Sequence, residues 1–197
     1  MAASLKEQTL TPVIDGNRYR IGTWVALASI AMMFTSLSSA YVVRAGTSND
    51  WYPLTAPPVL FVSTALILIS SGTMEIARRK LKAAVAGGHS MWLLITAVLG
   101  LAFLVTQLIA WRQLAGRGIY VATNPHSSFF YLLTAAHGLH VLGGLLALLY
   151  LMIRTRQILG LAAVDSKRRA VADAVSTYWH FMDVLWIYLF VLLFFWR

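Results

Sequence analysis

Five apolar runs, each long enough to cross a bilayer, constrain this chain more than any other feature of its sequence. A membrane-spanning helix needs about 20 predominantly apolar residues. Hydrophobic residues make up 59% of the 197 positions and the mean hydropathy is +0.70, as in a polytopic membrane protein. The expected spans lie near residues 21–43, 57–76, 91–111, 129–153 and 174–196.

The links between these runs indicate how the chain is organised. They reach at most about 20 residues, which is too short for an independent soluble domain. The sequence therefore predicts an all-α membrane protein, a five-transmembrane-helix bundle over residues 21–197 that follows an N-terminal segment, 1–20. The first run is too long for the apolar part of a signal peptide and follows a polar segment, so we expect an uncleaved span.

The basic residues predict the orientation of the bundle. The net charge is +9, but the Lys and Arg residues lie in the short links, which favours a topology signal over a nucleic-acid site. By the positive-inside rule, the N-terminus is expected in the cytoplasm and the C-terminus outside. The predicted cytoplasmic side has 12 basic residues, Lys6, Arg18, Arg20, Arg78, Arg79, Lys80, Lys82, Arg154, Arg156, Lys167, Arg168 and Arg169. The other side has four, Arg44, Arg112, Arg117 and Arg197.

Polar side chains recur at helical spacing inside three of the spans. Lipid offers them no hydrogen-bond partner, so we expect them to face other helices or water. We call these residues the polar seam: Gln107, Thr134, His137, His140, His180 and Asp183. An unpaired carboxylate at the depth of Asp183 would be costly, so we expect a hydrogen bond from His180 or His140.

The histidines raise the question of a metal or haem site. His137 and His140 share one helix, whereas His89 and His126 are predicted to lie in links on opposite sides. We therefore favour interhelical hydrogen bonding, with proton transfer or lipid headgroup contact as the other options, and predict no catalytic, cofactor-binding or metal-binding residue. The chain has no cysteine, which excludes thiolate ligands and disulfides.

Two further features are a pair of acidic residues and a pair of tryptophans. Glu75 ends the second span beside Arg78 and Arg79, where an interfacial ion pair is expected to contribute little to stability. Together with Asp173 it forms a pair of acids on the predicted cytoplasmic side. Trp179 and Trp186 are seven residues apart and are interpreted as a packing stripe.

Two motifs resemble a known family. They are FFYLLTAAHGLHVLGGLLALL, from Phe129 to Leu149, and YWHFMDVLWIYLF, from Tyr178 to Phe190. Both are similar to subunit III of the haem-copper terminal oxidases, and LILISSGTMEIARRKL and WLLITAVLGLAFLVTQ on the second and third spans resemble it in the same order. The resemblance covers nearly the whole chain after residue 20.

The resemblance implies the short, five-helix form of that subunit in a bacterial inner membrane. Such a subunit carries no haem or copper itself, since these belong to subunits I and II, and cytochrome c or another donor is reached only indirectly. It packs on subunit I, holds phospholipid between its helices, and supports proton uptake and enzyme lifetime during oxygen reduction. A small subunit IV is a further candidate partner, and no nucleic acid is expected.

The sequence departs from the family pattern at acidic positions. In SIAMMF, Ile30 stands where the family commonly has Glu, and Ala110 replaces another family acid, while Asp173 replaces Glu more conservatively. These changes argue against a proton relay within the chain. The alternatives are an accessory subunit of a nitric oxide reductase or of a quinol oxidase, or a small transporter. Against a transporter, the sequence lacks an inverted repeat and a span broken by Gly or Pro.

Overall fold

The computed structural model consists of five long helices joined by short links. It describes residues 16–47, 49–52, 54–83, 88–157 and 162–195. Within these residues there is no strand, and every helix contains a stretch long and apolar enough to cross a membrane. The helices are α1 (Gly16–Thr47), α2 (Val59–Lys82), α3 (Gly88–Gly116), α4 (Pro125–Gln157) and α5 (Ala162–Phe194). The predicted all-α, five-helix membrane fold is confirmed.

Several helices extend beyond the predicted spans, because apolar runs mark only the hydrocarbon depth and polar helix ends can continue into the headgroup region. α5 begins at Ala162 rather than near residue 174. His89 and His126, which the sequence analysis placed in links, lie instead in the first turns of α3 and α4. That placement was wrong for both residues.

The start of α4 shows why the helix begins before its apolar run. Asn124 is the N-cap residue, since its side-chain oxygen accepts a hydrogen bond from the Ser127 N–H at 2.9 Å. The Ser127 hydroxyl in turn accepts the Asn124 N–H at 3.2 Å, a reciprocal arrangement like a capping box. Pro125 occupies the first helical position, where its missing N–H costs nothing. These local bonds extend α4 toward the membrane surface.

Four helices form a ring and the fifth lies outside it. α2 packs on α3, α3 on α4, α4 on α5 and α5 on α2, and the α2–α3 pair has the most extensive contact. α1 packs against α4 and α5, and among the described residues it does not contact α2 or α3. α1 and α2 therefore stand on two sides of α5 with a gap between them.

The centre of the ring is packed around two tryptophans of α5. Trp179 and Trp186 are each 1% exposed, in agreement with the predicted packing stripe. Trp179 lies against glycines of α3 and α4: a Cβ on Gly100 would come within 2.7 Å of its ring, and one on Gly144 within 3.3 Å. The small residues are therefore needed where the indole crosses the neighbouring helices.

We call the membrane face at which α1 and α5 begin and α2 ends the basic face. Its described side chains include Arg20 on α1, the basic residues Arg78 to Lys82 on α2, and Arg169 on α5. The other face is called the opposite face.

Candidate functional site

The polar seam residues do not form one cluster in the structure. His180 and Asp183 form a pair that lies below an ion-pair group built on Glu75 and Asp173 at the basic face. His137 lies deeper, in an aromatic cage in the bundle interior. Other seam residues form single hydrogen bonds between neighbouring helices. Hydroxyl residues of α2, which the sequence analysis passed over, provide many of the partners.

The ion-pair group, which we call the basic-face cluster, joins α2 to α5. The Arg78 guanidinium donates to both carboxylate oxygens of Glu75 at 2.8 Å and to Asp173 at 3.2 Å. Arg79 donates to Glu75 at 2.8 Å, and Lys82 lies 2.7 Å from Asp173. Glu75 is thus paired with both neighbouring arginines. These side chains are partly exposed, so water screens the pairs and each contributes little to stability.

His180 connects the basic-face cluster to the interior. Its Nε2 lies 3.8 Å from a Glu75 carboxylate oxygen, and its Nδ1 shares a hydrogen bond of 2.7 Å with the Ser71 hydroxyl. The same Nδ1 is 4.0 Å from Asp183 Oδ2. One ring nitrogen therefore faces the ion pairs, and the other faces the buried acid.

Asp183 is only 3% exposed, and neither of its oxygens makes a hydrogen bond to a residue the structure describes. Of the two partners expected from sequence, His180 is near but beyond hydrogen-bond distance. His140 is occupied within its own helix, where its Nδ1 bonds the Ala136 carbonyl at 2.7 Å. The His140 carbonyl accepts the Tyr178 hydroxyl at 2.8 Å. His180 and the Ser71 hydroxyl that it binds are thus the groups beside the acid that can compensate it.

His137 lies at the centre of an aromatic cage. Its ring is fully buried, with ring centroids of Phe34, Phe103 and Trp186 at 6.5, 5.8 and 5.2 Å. Neither ring nitrogen has a hydrogen-bond partner among the described residues. The residue predicted to hydrogen-bond between helices instead brings four helices together through ring contacts. In the described chain, no group of three or more His, Asp or Glu side chains could hold a metal ion.

The other two seam residues do bond to neighbouring helices. The Gln107 amide of α3 donates to the Ser63 hydroxyl of α2 at 3.0 Å. The Trp111 indole of α3 donates to the Thr134 hydroxyl of α4 at 3.2 Å. These bonds support the predicted role of polar residues as contacts between helices.

The α2 hydroxyls were missed in the sequence, although their spacing was visible. Ser63 and Ser70 are seven residues apart, as are Thr64 and Ser71, so each pair lies on one helix face. The Trp179 indole donates to Ser70 at 3.1 Å, and the Trp186 indole donates to Thr64 at 3.0 Å. The heptad spacing of Ser and Thr in VSTALILISSGT was the signal that could have revealed this face.

A further group at the opposite face is built around His126, which is 1% exposed. The Leu54 N–H donates to Nδ1 at 3.2 Å, which leaves Nε2 to carry the ring proton and donate to the Leu193 carbonyl at 3.2 Å. The Tyr41 hydroxyl lies 3.5 Å from Nε2, and Trp51 stacks on the ring at 5.0 Å. His126 thereby joins α1, the α1–α2 link, α4 and α5.

Comparisons with known proteins agree on one family. The sequence matches the family described as cytochrome c oxidase subunit III over residues 3–197. A probable cytochrome c oxidase subunit 3 of Mycobacterium tuberculosis is 33% identical over 185 residues, 92% of this chain and 89% of that protein. A cytochrome c oxidase subunit 3 of Thermostichus vulcanus is 37% identical over 177 residues, 88% and 85% of the two chains. The cytochrome bo(3) ubiquinol oxidase subunit 3 of Pseudomonas aeruginosa is 32% identical over 188 residues, 91% and 86%.

Proposed function

The chain belongs to the cytochrome c oxidase subunit III family, and we propose that it acts as the non-catalytic subunit III of a respiratory haem-copper oxidase. It is a multi-pass protein of the bacterial plasma membrane and forms part of a complex with other oxidase subunits. In this proposal the chain packs on subunit I, retains phospholipid and supports proton uptake. Haems and copper belong to subunits I and II, and the electron donor does not contact this chain.

One observation carries the proposal of a supporting role. Central side chains of the two family motifs are used for packing: His137 is surrounded by aromatic rings, and Trp179 lies against Gly100 and Gly144. A centre that binds substrate needs polar groups that converge on an accessible cavity. The motif residues instead hold α4 and α5 to their neighbours. A bundle packed in this way suits a subunit that stabilises a partner.

The basic-face cluster supports a modest part in proton uptake. With the N-terminus in the cytoplasm, as proposed from the basic residues, Glu75 and Asp173 lie on the side from which protons are taken. The cations that pair with these acids offset their charge, so their field acts on nearby protons only weakly, and salt screens it over about 10 Å at 0.1 M. Ile30 and Ala110 replace family acids, so we propose an electrostatic contribution rather than a path through the bundle.

A quinol oxidase is the second candidate. The Pseudomonas aeruginosa relative, named as a subunit of a ubiquinol oxidase, is about as similar to this chain as the relative from Mycobacterium tuberculosis. The two candidates differ in the donor to the complex. Turnover of the purified complex with reduced cytochrome c and with a quinol would separate them.

Copurification tests the proposed function. The chain is tagged at its C-terminus, expressed in its host and extracted in a mild detergent. We expect haem-containing subunit I and subunit II to copurify in equal amounts, with a Soret band that follows the complex through size exclusion. A colourless chain that elutes alone after the same extraction would contradict the proposal.

A further inference from the structure

His126 fastens the link between α1 and α2 to the rest of the bundle at the opposite face. Its Nδ1 accepts the Leu54 N–H at 3.2 Å, and its Nε2 donates to the Leu193 carbonyl of α5 at 3.2 Å. Trp51 of the link stacks on the imidazole, with the ring centroids 5.0 Å apart and the planes 8° from parallel. We call Tyr41, Trp51, Leu54 and His126 the link latch.

The link latch is important for the position of α1. In the described residues α1 packs on α4 and α5 and does not contact α2. Tyr41, near the end of α1, makes edge contacts with Trp51 of the link at 5.0 Å and with Phe129 of α4 at 5.7 Å. The latch therefore joins the end of α1 to the link that leads to α2, and it holds both against α4 and α5.

The hydrogen bonds of the latch require a neutral imidazole. A neutral histidine has one nitrogen that donates and one that accepts. The Leu193 carbonyl can only accept, so Nε2 carries the proton and Nδ1 offers its lone pair to the Leu54 N–H. A second proton on Nδ1 would point at that N–H. Two donors cannot share a hydrogen bond, so the Leu54 backbone would have to move away from the ring.

The surroundings of the ring contain no acid free to stabilise a second proton. From α1, the Tyr41 hydroxyl lies 3.5 Å from Nε2. From the link, Asp50 is bound by Arg44 through both carboxylate oxygens at 3.1 Å, and the Tyr52 carbonyl is a further acceptor beside the ring. The adjoining turns of α2, α4 and α5 carry no charged side chain among the residues that the structure describes.

From these contacts, we propose that the link latch is a pH-sensitive device in which protonation of His126 at Nδ1 releases the α1–α2 link from α4 and α5. An imidazole in water is half protonated near about pH 6.5. The latched ring excludes the second proton, so the released form binds one proton more. The latch is therefore fully stable above that pH and is weakened as the pH falls.

The inference goes beyond the proposed function, because it concerns the response of this chain itself. With the N-terminus in the cytoplasm, as proposed from the basic residues, the opposite face lies outside. The link latch then responds to the pH of the external medium, whereas the acids of the basic-face cluster lie on the other side of the membrane.

Hydrogen exchange at the Leu54 amide tests the latch in the full chain in mild detergent. Mass spectrometry with residue-level fragmentation gives the protection of this amide relative to the intrinsic exchange rate at each pH. The variants are His126→Asn, which keeps an amide oxygen that can accept the Leu54 N–H but does not titrate, and His89→Asn. His89 is the matched control, because it is also the second residue of a helix, is 9% exposed and lies at the basic face.

We expect the protection of the Leu54 amide to fall about 30-fold between about pH 7.5 and about pH 5, because release binds one proton at an imidazole that titrates near about pH 6.5. His126→Asn should make the protection nearly independent of pH, and His89→Asn should leave the fall unchanged. Constant protection in the wild-type chain, an equal fall in His126→Asn, or loss of the fall in His89→Asn would each overturn the proposal.

A second variant covers the case in which His126→Asn does not fold. The side chain of Asp50 is 59% exposed, so Asp50→Asn should fold. We expect this variant to retain the fall in protection, with its onset near about pH 6.5. An onset near about pH 4, or loss of the pH dependence in Asp50→Asn, would assign the response to a carboxylate and overturn the proposal. Copurification of oxidase subunits is a separate measurement, so this inference and the proposed function can fail independently.

Discussion

The basic-face cluster and the aromatic cage use charged or ionisable side chains in opposite ways. Near the surface, Arg78 bridges Glu75 and Asp173 through hydrogen bonds of 2.8 to 3.2 Å, and the side chains remain partly exposed. In the interior, His137 contacts three aromatic rings and forms no hydrogen bond with a described residue. Position relative to water, rather than residue type, separates the two roles.

The difference shows how a membrane bundle accommodates polar residues. At the headgroup level water screens charges. The ion pairs between α2 and α5 therefore contribute little to stability, and their formation requires little desolvation. In the hydrocarbon region ring packing replaces ion pairing, because an isolated charge there is unfavourable. His180 and Asp183 lie between these regimes, with one ring nitrogen toward Glu75 and the other toward the buried acid. The predictions below test this division, from the largest effect to the smallest.

Removing Trp186 should have the largest effect, because the indole is part of the aromatic cage and bonds to Thr64 of α2. Trp186→Ala is expected to lower the free energy of unfolding by about 3–5 kcal/mol, as for other buried tryptophans. The measurement is reversible unfolding of the purified chain in mixed micelles. Phe195→Ala is the control, since that ring is 69% exposed, and it should change stability little. Equal losses in both variants would show that the interior cage is not specially packed.

His180 should be the next most sensitive position. His180→Leu removes the hydrogen-bond partner of the Ser71 hydroxyl and the ring nitrogen that lies 4.0 Å from the Asp183 carboxylate, so we expect a loss of about 1–3 kcal/mol. Asp183→Leu removes the acid itself and should be tolerated better. Comparing the thermal stability of the assembled complex for the two variants checks the order. Neutral results for both would contradict the coupling between His180 and Asp183.

The acids of the basic-face cluster should have a smaller effect, visible only at low salt. Glu75→Gln and Asp173→Asn are expected to leave oxidase turnover nearly intact at high ionic strength, because salt screens the field of exposed charges. At low ionic strength a modest loss is expected. Deleting the whole subunit should instead shorten the working life of the enzyme. A large fall in turnover that does not depend on salt would show that protons pass through this chain.

His137 should give the smallest change, although it is the most deeply buried histidine. His137→Leu is expected to alter the free energy of unfolding by less than about 1 kcal/mol, since no hydrogen bond to a described residue is lost and an apolar side chain fills the cage. Unfolding in mixed micelles provides the measurement. A loss as large as that of His180→Leu would mean that the ring nitrogens of His137 have an essential polar partner.

Much of the fold could be predicted from the sequence, but the helix ends could not. The apolar runs placed all five helices in order, because hydropathy over about 20 residues is a local property. α4 begins at Pro125, before its apolar run, because Asn124 caps the helix. A hydropathy profile does not detect such a cap. The same extension moved His126 from a predicted link into a buried cluster.

The candidate site was predictable as a set of residues but not as a set of contacts. Helical spacing identified Gln107 and Thr134 as residues that face other helices, and both form interhelical hydrogen bonds. The spacing could not show that His137 would meet aromatic rings or that His140 would bond its own helix. The rings around His137 come from Phe34, Phe103 and Trp186, which lie on other helices and far away in the sequence.

By itself the sequence determined the membrane class, the five spans and the family, since each follows from local composition or from motifs in order. Only the tertiary structure decided which groups meet: Ser71 with His180, Gly100 with Trp179, and Arg20 with Arg78 around one pocket. The reason is geometric. A helix fixes which of its own residues share a face, but its rotation and its neighbours are set by packing against all the other helices at once.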